Sequence, residues 1–246
     1  MSREGDLATG AGFRLTGTVR ERVVVCVDGG SERERPGDWS ATIEWLVRRL
    51  SPRFPELAFL EVRYRTKSWR RLELCIEDGR AAVQLARERG ARRCTLVGFS
   101  MGGAVAISVA GEPSVTDVIG LAPWIPDRLD VSPLDGRSIA ILHGSLDRPL
   151  PGIPGVSAAS SRRGLERIRA RGVEATYAVI PGALHGAAIR SRRGGLVPLP
   201  RARRWGELLA AALRARELPY DVQPFHSRSS VEGGAPDGDD DAERPR

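Results

Sequence analysis

A serine in this sequence has a setting typical of a catalytic nucleophile. Ser100 lies in the run Gly98-Phe99-Ser100-Met101-Gly102-Gly103, directly after the apolar segment 94–99. Glycines two positions on either side lack the side chains that would collide in a sharp turn from strand to helix. The start of the helix then directs free N–H groups and a positive dipole end at a reacting oxygen. The alternative is a glycine-rich turn of another doubly wound fold, although the spacing of phosphate-binding and dinucleotide-binding loops is missing.

A nucleophilic serine needs an imidazole that accepts its proton and a carboxylate that orients the imidazole. Of the three histidines, His226 lies in a polar tail, and His143 ends an apolar run where a packed side chain is the simpler interpretation. His185 lies in Pro-Gly-Ala-Leu-His-Gly, just after the apolar run 175–180. Catalytic groups of open α/β sheets gather at the carboxyl ends of strands. His185 is therefore the predicted base, with a solvated loop histidine as the alternative.

Two aspartates compete for the role of the acid. Asp147 follows shortly after the apolar run 138–144, in His-Gly-Ser-Leu-Asp-Arg, between the serine and the histidine in sequence. Asp127 follows the preceding run, in Ala-Pro-Trp-Ile-Pro-Asp, where the prolines also favour a simple turn residue. We expect Asp147 to be the acid and keep Asp127 as its rival.

The elements that must position these residues follow an alternating pattern. Short apolar runs suit strands that are covered on both faces, and the amphipathic stretches between them suit helices. The pattern predicts one doubly wound, mostly parallel α/β sheet with helices on both faces. The predicted strands are 23–28, 57–62, 94–99, 117–122, 138–144 and 175–180, and the predicted helices are 39–50, 72–89, 101–110, 161–171 and 201–216.

Composition indicates how the chain is organised. Residues 1–11 are predicted to be a flexible leader, 12–216 the folded domain, and 217–246 a disordered acidic tail rich in Pro and Gly. The start shows no secretory signal and no apolar run is long enough to span a membrane, so we expect a cytoplasmic protein. The three separated cysteines indicate reduced, buried thiols and neither disulfides nor a zinc site.

The chain resembles the α/β-hydrolase superfamily at GFSMGG, HGSLDR and PGALHG, which occur in that family's order of serine, acid and histidine. Lidless, dienelactone-hydrolase-like esterases are the most similar in size. The resemblance implies an α/β-hydrolase fold over about residues 12–216, with Ser100 as nucleophile, Asp147 as acid and His185 as base. It also implies an oxyanion hole formed by the N–H groups of Met101 and Gly30, and neither a cofactor nor a metal.

The sequence departs from the family after the strand at 23–28. The family usually has His-Gly there, whereas this chain has Val27-Asp28-Gly29-Gly30. A carboxylate beside an oxyanion hole opposes developing negative charge unless a cation pairs with it. We expect Arg33 or Arg35 to pair with Asp28.

The segment where the family inserts a cap spans only residues 125–137, which is too short for a separate domain. We therefore expect an open cleft without a cap, in which Trp69 and Trp124 are candidates to line an acyl pocket or else half-buried core residues. The arginines at 190, 192 and 193 are candidates to meet an anionic substrate, with a solvated loop as the simpler interpretation.

The expected function is hydrolysis of small carboxylic esters, with short acyl groups, through an acyl-enzyme. A thioesterase or peptidase would use the same residues, and a non-catalytic binding protein would have no need of all three. Of the 38 basic residues all but Lys67 are arginines, and they are scattered through the predicted helices. This scatter disfavours nucleic acid as a partner. No helix face is apolar enough to predict an oligomeric state.

Overall fold

A computed structural model describes residues 2–148 and 155–215, and its centre is an eight-stranded sheet. The strands are β1 (Ser2–Asp6), β2 (Gly12–Thr16), β3 (Arg22–Val27), β4 (Ala58–Arg63), β5 (Arg93–Phe99), β6 (Val115–Leu121), β7 (Ser138–Gly144) and β8 (Glu174–Ile180). Their order is β1-β2-β4-β3-β5-β6-β7-β8. The β1–β2 and β2–β4 pairs are antiparallel and all others are parallel. A small hairpin of β9 (Ala188–Arg190) and β10 (Leu196–Pro198) lies outside this sheet.

In the described ranges, five helices cover both faces of the sheet. Residues of α1 and α5 pack on one face, and residues of α2, α3 and α4 pack on the other. The doubly wound, mostly parallel sheet predicted from the alternating pattern is therefore confirmed. The helices are α1 (Ala41–Leu50), α2 (Leu72–Glu88), α3 (Met101–Val109), α4 (Ala158–Ala170) and α5 (Ala202–Ala215).

Local sequence explains where the helices begin. α1 starts after Ser40, whose side chain accepts the N–H of Ile43 and so caps the helix. α4 starts in the same way after Ser157, which accepts the N–H of Ser160. α3 has no capping side chain, and eight of its nine residues are buried. Tertiary burial between the sheet and α2, and not an amphipathic pattern, holds this helix behind Ser100.

The structure corrects the prediction of a flexible leader at 1–11. Ser2–Asp6 form β1, which pairs along its whole length with β2 at the edge of the sheet. β1 is mostly exposed, and a solvent-facing edge strand requires few apolar residues, so composition alone suggested a frayed end. The predicted tail at 217–246 lies outside the described residues.

The connection from β6 to β7 contains only a short 3-10 turn at Ser132–Leu134. Within residues 2–148 and 155–215, no cap domain covers the carboxyl edge of the sheet. No helix in that described part is both long and apolar enough to cross a membrane. All three cysteines are free and buried, and burial raises the pKa of the Cys75 thiol to about 11.

A carboxyl group of β4 is buried in the sheet. Glu61 of β4 is 3% exposed, and Arg14 Nη1 lies 3.9 Å from its Oε1. Burial raises the pKa of the Glu61 carboxyl from 4.5 to about 7, because removal from water disfavours the charged form more than Arg14 favours it. Between these pH values the folded chain binds a proton that the unfolded chain has lost. Stability therefore falls as the pH rises through this window.

Replacement of Glu61 by Gln removes this fall in stability at high pH. We expect Glu61→Gln to match the wild type near pH 4 and to exceed it at pH 8.5 by up to about 3 kcal/mol, at 1.36 kcal/mol per pKa unit. Denaturant unfolding at several pH values measures the difference.

Glu44→Gln is the matched control. Burial raises the pKa of Glu44, but the hydrogen bond and charge of Arg190 outweigh burial, so its pKa is lowered. Glu44→Gln should therefore destabilise at neutral pH, and the loss should shrink as the pH falls through the folded pKa. Equal pH dependence of both variants would contradict this account.

Candidate active site

Ser100 connects β5 to α3 in a strained backbone conformation. Its φ of 54° and ψ of −119° lie in a region that residues with a side chain rarely occupy. Three backbone hydrogen bonds of the described residues hold it there: the Ser100 N–H donates to Leu121 O at 3.0 Å, and Ser100 O accepts the Trp124 N–H at 2.8 Å and the Gly103 N–H at 2.9 Å. The neighbouring strand β6 and its loop therefore impose the turn that presents the serine.

The glycines around Ser100 are required by close backbone contacts. A Cβ on Gly98 would lie 2.2 Å from Gly102 O, and a Cβ on Gly102 would lie 2.5 Å from Val27 O. Both neighbours are backbone atoms that cannot move aside cheaply. The spacing of glycines two residues before and two after the serine thus has the steric reason that the sequence suggested.

Asp147 and His185 are joined by a hydrogen bond. His185 Nδ1 lies 2.7 Å from Asp147 Oδ2. Asp147 follows β7 and His185 follows β8, so adjacent parallel strands deliver the two side chains to one edge. The Leu146 N–H also donates to Ala183 O at 2.9 Å, which ties the two loops together.

Asp147 has a second histidine partner that the sequence did not reveal. His143 is fully buried, and its Nε2 lies 3.2 Å from Asp147 Oδ2 and 2.9 Å from Val156 O. The Val156 N–H donates to Asp147 Oδ1 at 3.1 Å. Burial raises the pKa of the Asp147 carboxyl, but the hydrogen bonds with His143 and His185 outweigh it, so its pKa is lowered. Asp147 is therefore held as an ionised, fully bonded carboxylate.

The other candidates from the sequence lie elsewhere. The Asp127 side chain is 77% exposed and lies 4.0 Å from Arg163 Nε, on the surface. It is not the partner of His185, which bonds to Asp147. His226 lies outside the described residues.

The loop after His185 is anchored to α1. Thr42 Oγ1 donates to Ala188 O at 3.1 Å and accepts the Ala187 N–H at 3.2 Å. The His185 ring packs on Phe99, with ring centroids 4.9 Å apart. These contacts fix the imidazole beside the residue that precedes Ser100.

Ser100 and His185 line a common open cavity of about 420 Å³. The contacts of the described residues include no hydrogen bond between these two side chains. The cavity wall is both apolar and charged; it includes Asp28, Gly29, Gly30, Arg35, Asp38, Trp39, Lys67, Phe99, Ile189 and Arg190.

The structure distinguishes the two alternatives kept for Trp69 and Trp124. Both lie in the described part of the chain, are not among the lining residues and pack against the core, as the second alternative expected. Trp39 lines the cavity instead, with the Arg14 guanidinium 4.3 Å from its ring centroid. Arg190 also lines it, bound to Glu44 at 2.7 Å. The sequence placed Trp39 in a helix at 39–50, whereas α1 begins at Ala41 and Trp39 lies in the loop between β3 and α1.

The glycines after β3 come close to the Ser100 turn. A Cβ on Gly29 would lie 3.2 Å from Ser100 Cβ, and one on Gly30 would lie 2.6 Å from Met101 Sδ. Met101 is the first residue of α3, so its N–H has no partner within the helix. The predicted oxyanion donors, Gly30 and Met101, are thus adjacent to each other and to the serine.

The partner of Asp28 is Lys67, which corrects the prediction of Arg33 or Arg35. The Lys67 ammonium forms a buried ion pair with Asp28 and also contacts Asp38 at 2.8 Å. Arg35 Nη2 lies 3.5 Å from Asp38. Lys67 reaches the site because the segments after β3 and β4 run side by side, a contact that no sequence pattern marks. In the described ranges, no group of three or more His, Cys, Asp or Glu side chains is placed to hold a metal ion.

Comparisons with known proteins identify the fold. No family model matches the sequence, and no curated protein sequence matches it. Among solved structures, a dienelactone hydrolase-like promiscuous phosphotriesterase from metagenomic libraries has a TM-score of 0.61 at 14% identity, over 88% of this chain and 98% of its own. An α/β serine hydrolase homologue from Coxiella burnetii has a TM-score of 0.59 at 17% identity, over 87% and 97%. A sugar hydrolase from Lactococcus lactis has a TM-score of 0.65 at 15% identity, over 88% and 98%.

The chain therefore has the α/β-hydrolase fold. The resemblance to lidless, dienelactone-hydrolase-like esterases is confirmed at the level of the fold. Fold alone does not assign a reaction, since proteins with different activities share it. The reaction must be argued from the residues at the cavity.

The strain at Ser100 has a measurable consequence. Replacement of Ala by Gly usually lowers the free energy of unfolding by about 0.5–1 kcal/mol. At a positive φ, however, Gly relieves about 1–3 kcal/mol of backbone strain. We expect Ser100→Gly to melt about 2–4 °C above Ser100→Ala in thermal unfolding. Ala81→Gly in α2 is the control and should melt below the wild type. A Ser100→Ala variant more stable than Ser100→Gly would show that the turn is not strained.

Proposed function

We propose that the protein is a serine hydrolase that cleaves carboxylic esters through an acyl-enzyme. The observation that carries the proposal is the hydrogen bond between His185 and Asp147 on the cavity that the strained Ser100 turn also lines. A nucleophile, a base and an orienting acid are then delivered by three different strand ends to one place. This arrangement has the roles of a catalytic triad.

Asp147 determines which nitrogen of His185 carries the proton. An ionised carboxylate only accepts hydrogen bonds, so Nδ1 bears the hydrogen that points at Asp147. Nε2 then has the free lone pair. Ser100 and His185 line the same cavity, and catalytic hydrogen bonds often close only when substrate binds.

The first half of the reaction acylates the serine. Ser100 Oγ attacks the ester carbonyl carbon while His185 Nε2 takes the hydroxyl proton. The bond from the carbonyl carbon to the alcohol oxygen then breaks, and His185 returns the proton to the departing alcohol. Asp147 balances the charge of the imidazolium in between.

The oxyanion of each tetrahedral intermediate is bound by the N–H groups of Met101 and Gly30. Each such donor is worth about 3 kcal/mol in the transition state, because it is already oriented toward the oxygen on which charge develops. In the second half, His185 takes a proton from water as the water oxygen attacks the acyl carbon. The bond to Ser100 Oγ breaks, Oγ regains a proton, and the carboxylic acid leaves.

The cavity favours a short acyl group. It is open, no cap covers it in the described residues, and charged side chains such as Asp38, Lys67 and Arg190 form much of its wall. Each methylene adds about 0.8 kcal/mol only where it is buried against apolar surface. A long acyl chain would lie along charged groups or in water.

A fluorophosphonate probe tests the reaction class. The probe should label the wild type by phosphonylation of Ser100 Oγ with loss of fluoride. It should not label Ser100→Ala, whose circular dichroism should be unchanged. Labelling of Ser100→Ala would move the nucleophile to another residue.

The two aspartates test the acid. Asp147→Asn should lower kcat for a p-nitrophenyl ester by up to about 10⁴-fold, because an amide can hold the wrong tautomer of His185. Asp127→Asn is the matched control and should leave kcat nearly unchanged, since this side chain is on the surface. The reverse ranking would reject Asp147 as the acid.

A series of p-nitrophenyl esters from acetate to palmitate tests the substrate class. We expect kcat/KM to be highest for short acyl groups and to show no jump above the micellar limit. A steady rise toward palmitate, or activation at the interface, would contradict an open, polar cleft.

A further inference from the structure

A buried ion pair lies directly beside the proposed oxyanion loop. The side chains of Lys67 and Asp28 are 9% and 4% exposed, and they contact each other. Lys67 is the only lysine in a chain whose other basic residues are arginines. Removing two charges from water is costly, and a buried pair adds little net stability over apolar packing. Stability alone therefore gives no reason for this pair.

Backbone contacts bind the pair to the loop that carries Gly29 and Gly30. The Tyr64 hydroxyl donates to Asp28 O at 3.1 Å, and the Lys67 N–H donates to Arg35 O at 2.8 Å. The Trp69 N–H donates to Ser31 O at 3.2 Å. The segment after β3 is thus fastened on both sides of the glycines to the segment after β4.

The position of Asp28 creates an electrostatic problem for ester hydrolysis. Asp28 immediately precedes Gly29, whose Cβ position would be 3.6 Å from Ser100 Oγ. An unpaired carboxylate there would repel the negative charge that develops on the substrate oxygen during attack. The repulsion would be strong because the Asp28 side chain is largely shielded from water.

We propose that Lys67 is a positioning residue of the oxyanion hole, which neutralises Asp28 so that the N–H of Gly30 can stabilise negative charge. The inference rests on the proposed function, because it concerns the transition state of that reaction. Lys67 acts through Asp28 and does not itself exchange protons with the substrate. Its compact ammonium can contact Asp28 and Asp38 together, which the broad, planar guanidinium of an arginine does less easily.

Variants of the pair separate charge from packing. Lys67→Met leaves Asp28 without its cation, Asp28→Asn leaves Lys67 in contact with Asp38, and the double variant removes both members of the pair. We expect kcat to fall about 10- to 100-fold in Lys67→Met with little change in KM, and to return to within a few-fold of wild type in the double variant. Asp28→Asn removes the carboxylate beside the proposed oxyanion hole, so kcat should rise.

The pH profile adds a readout that loss of packing would not produce. The charged and titratable groups around Asp28 are Lys67, then Asp38 and Arg35, with the Tyr64 hydroxyl on its carbonyl and His185 on the same cavity. Repulsion from a carboxyl group depends on pH, because only its deprotonated form carries a negative charge. The ratio of wild-type to Lys67→Met kcat should therefore increase with pH, and the double variant should show no such increase.

Arg65→Met is the matched control. Arg65 Nε lies 3.2 Å from the fully buried Asp78 carboxylate, and neither residue lines the cavity. This variant also leaves a buried acid without its cation, so it should lower the melting temperature without changing kcat or its pH profile. Each variant is first titrated with the fluorophosphonate probe to count active sites.

The outcomes are distinct. Wild-type protein without labelling or ester turnover would overturn the proposed function and this inference with it. Normal labelling together with a Lys67→Met kcat and pH profile like the wild type, or a double variant as slow as the single one, would overturn the inference alone. Should Lys67→Met fail to fold, Asp28→Asn and the double variant decide. A kcat well below wild type in either of them would contradict the inference that the Asp28 charge opposes the reaction.

Discussion

Parallel pairing from β3 to β8 is the constraint on which the site depends. Parallel strands end at the same edge, so the segments after β3, β5, β7 and β8 meet there although they are far apart in sequence. Asp28 to Gly30, Ser100, Asp147 and His185 follow those four strands in turn. The rest of the structure supports this edge: buried α3 stands behind Ser100, and Thr42 of α1 holds the loop after His185.

Several charged side chains lie near the carboxyl edge of the sheet, and each of the following has a partner of opposite charge or a hydrogen-bonded histidine. Asp147 lies between two histidines, Asp28 is bound by Lys67, and Glu44 of α1 is bound by Arg190. Buried charges left alone would be costly and would distort the field in the cavity. In the proposed function, this pairing leaves the N–H groups of Gly30 and Met101 as the donors to a developing oxyanion. The pair of Asp28 and Lys67 then serves the reaction more than the stability of the domain.

The sequence predicted the parts of the fold and site that have local signals. Continuous apolar runs marked the central strands, and the flanking glycines marked the turn at Ser100. The position of Asp147 and His185 after strands marked their hydrogen-bonded pair. Features that depend on contacts between distant residues have no local sequence signal and were not predicted. β1 lacks apolar residues because it is an exposed edge, Trp39 lies in a loop, and Lys67 meets Asp28 across 39 residues. Nearby arginines were therefore expected where a distant lysine pairs.

The central claim is that Ser100 carries the acyl group during turnover. Rapid mixing with p-nitrophenyl acetate, acid quenching within one turnover and intact-protein mass spectrometry measure it directly. The account predicts a mass increase of one acetyl group, mapped to the peptide containing Ser100 and missing in Ser100→Ala. Ester turnover by the wild type with no acylated protein at any time, or with the acetyl group on another residue, would contradict it.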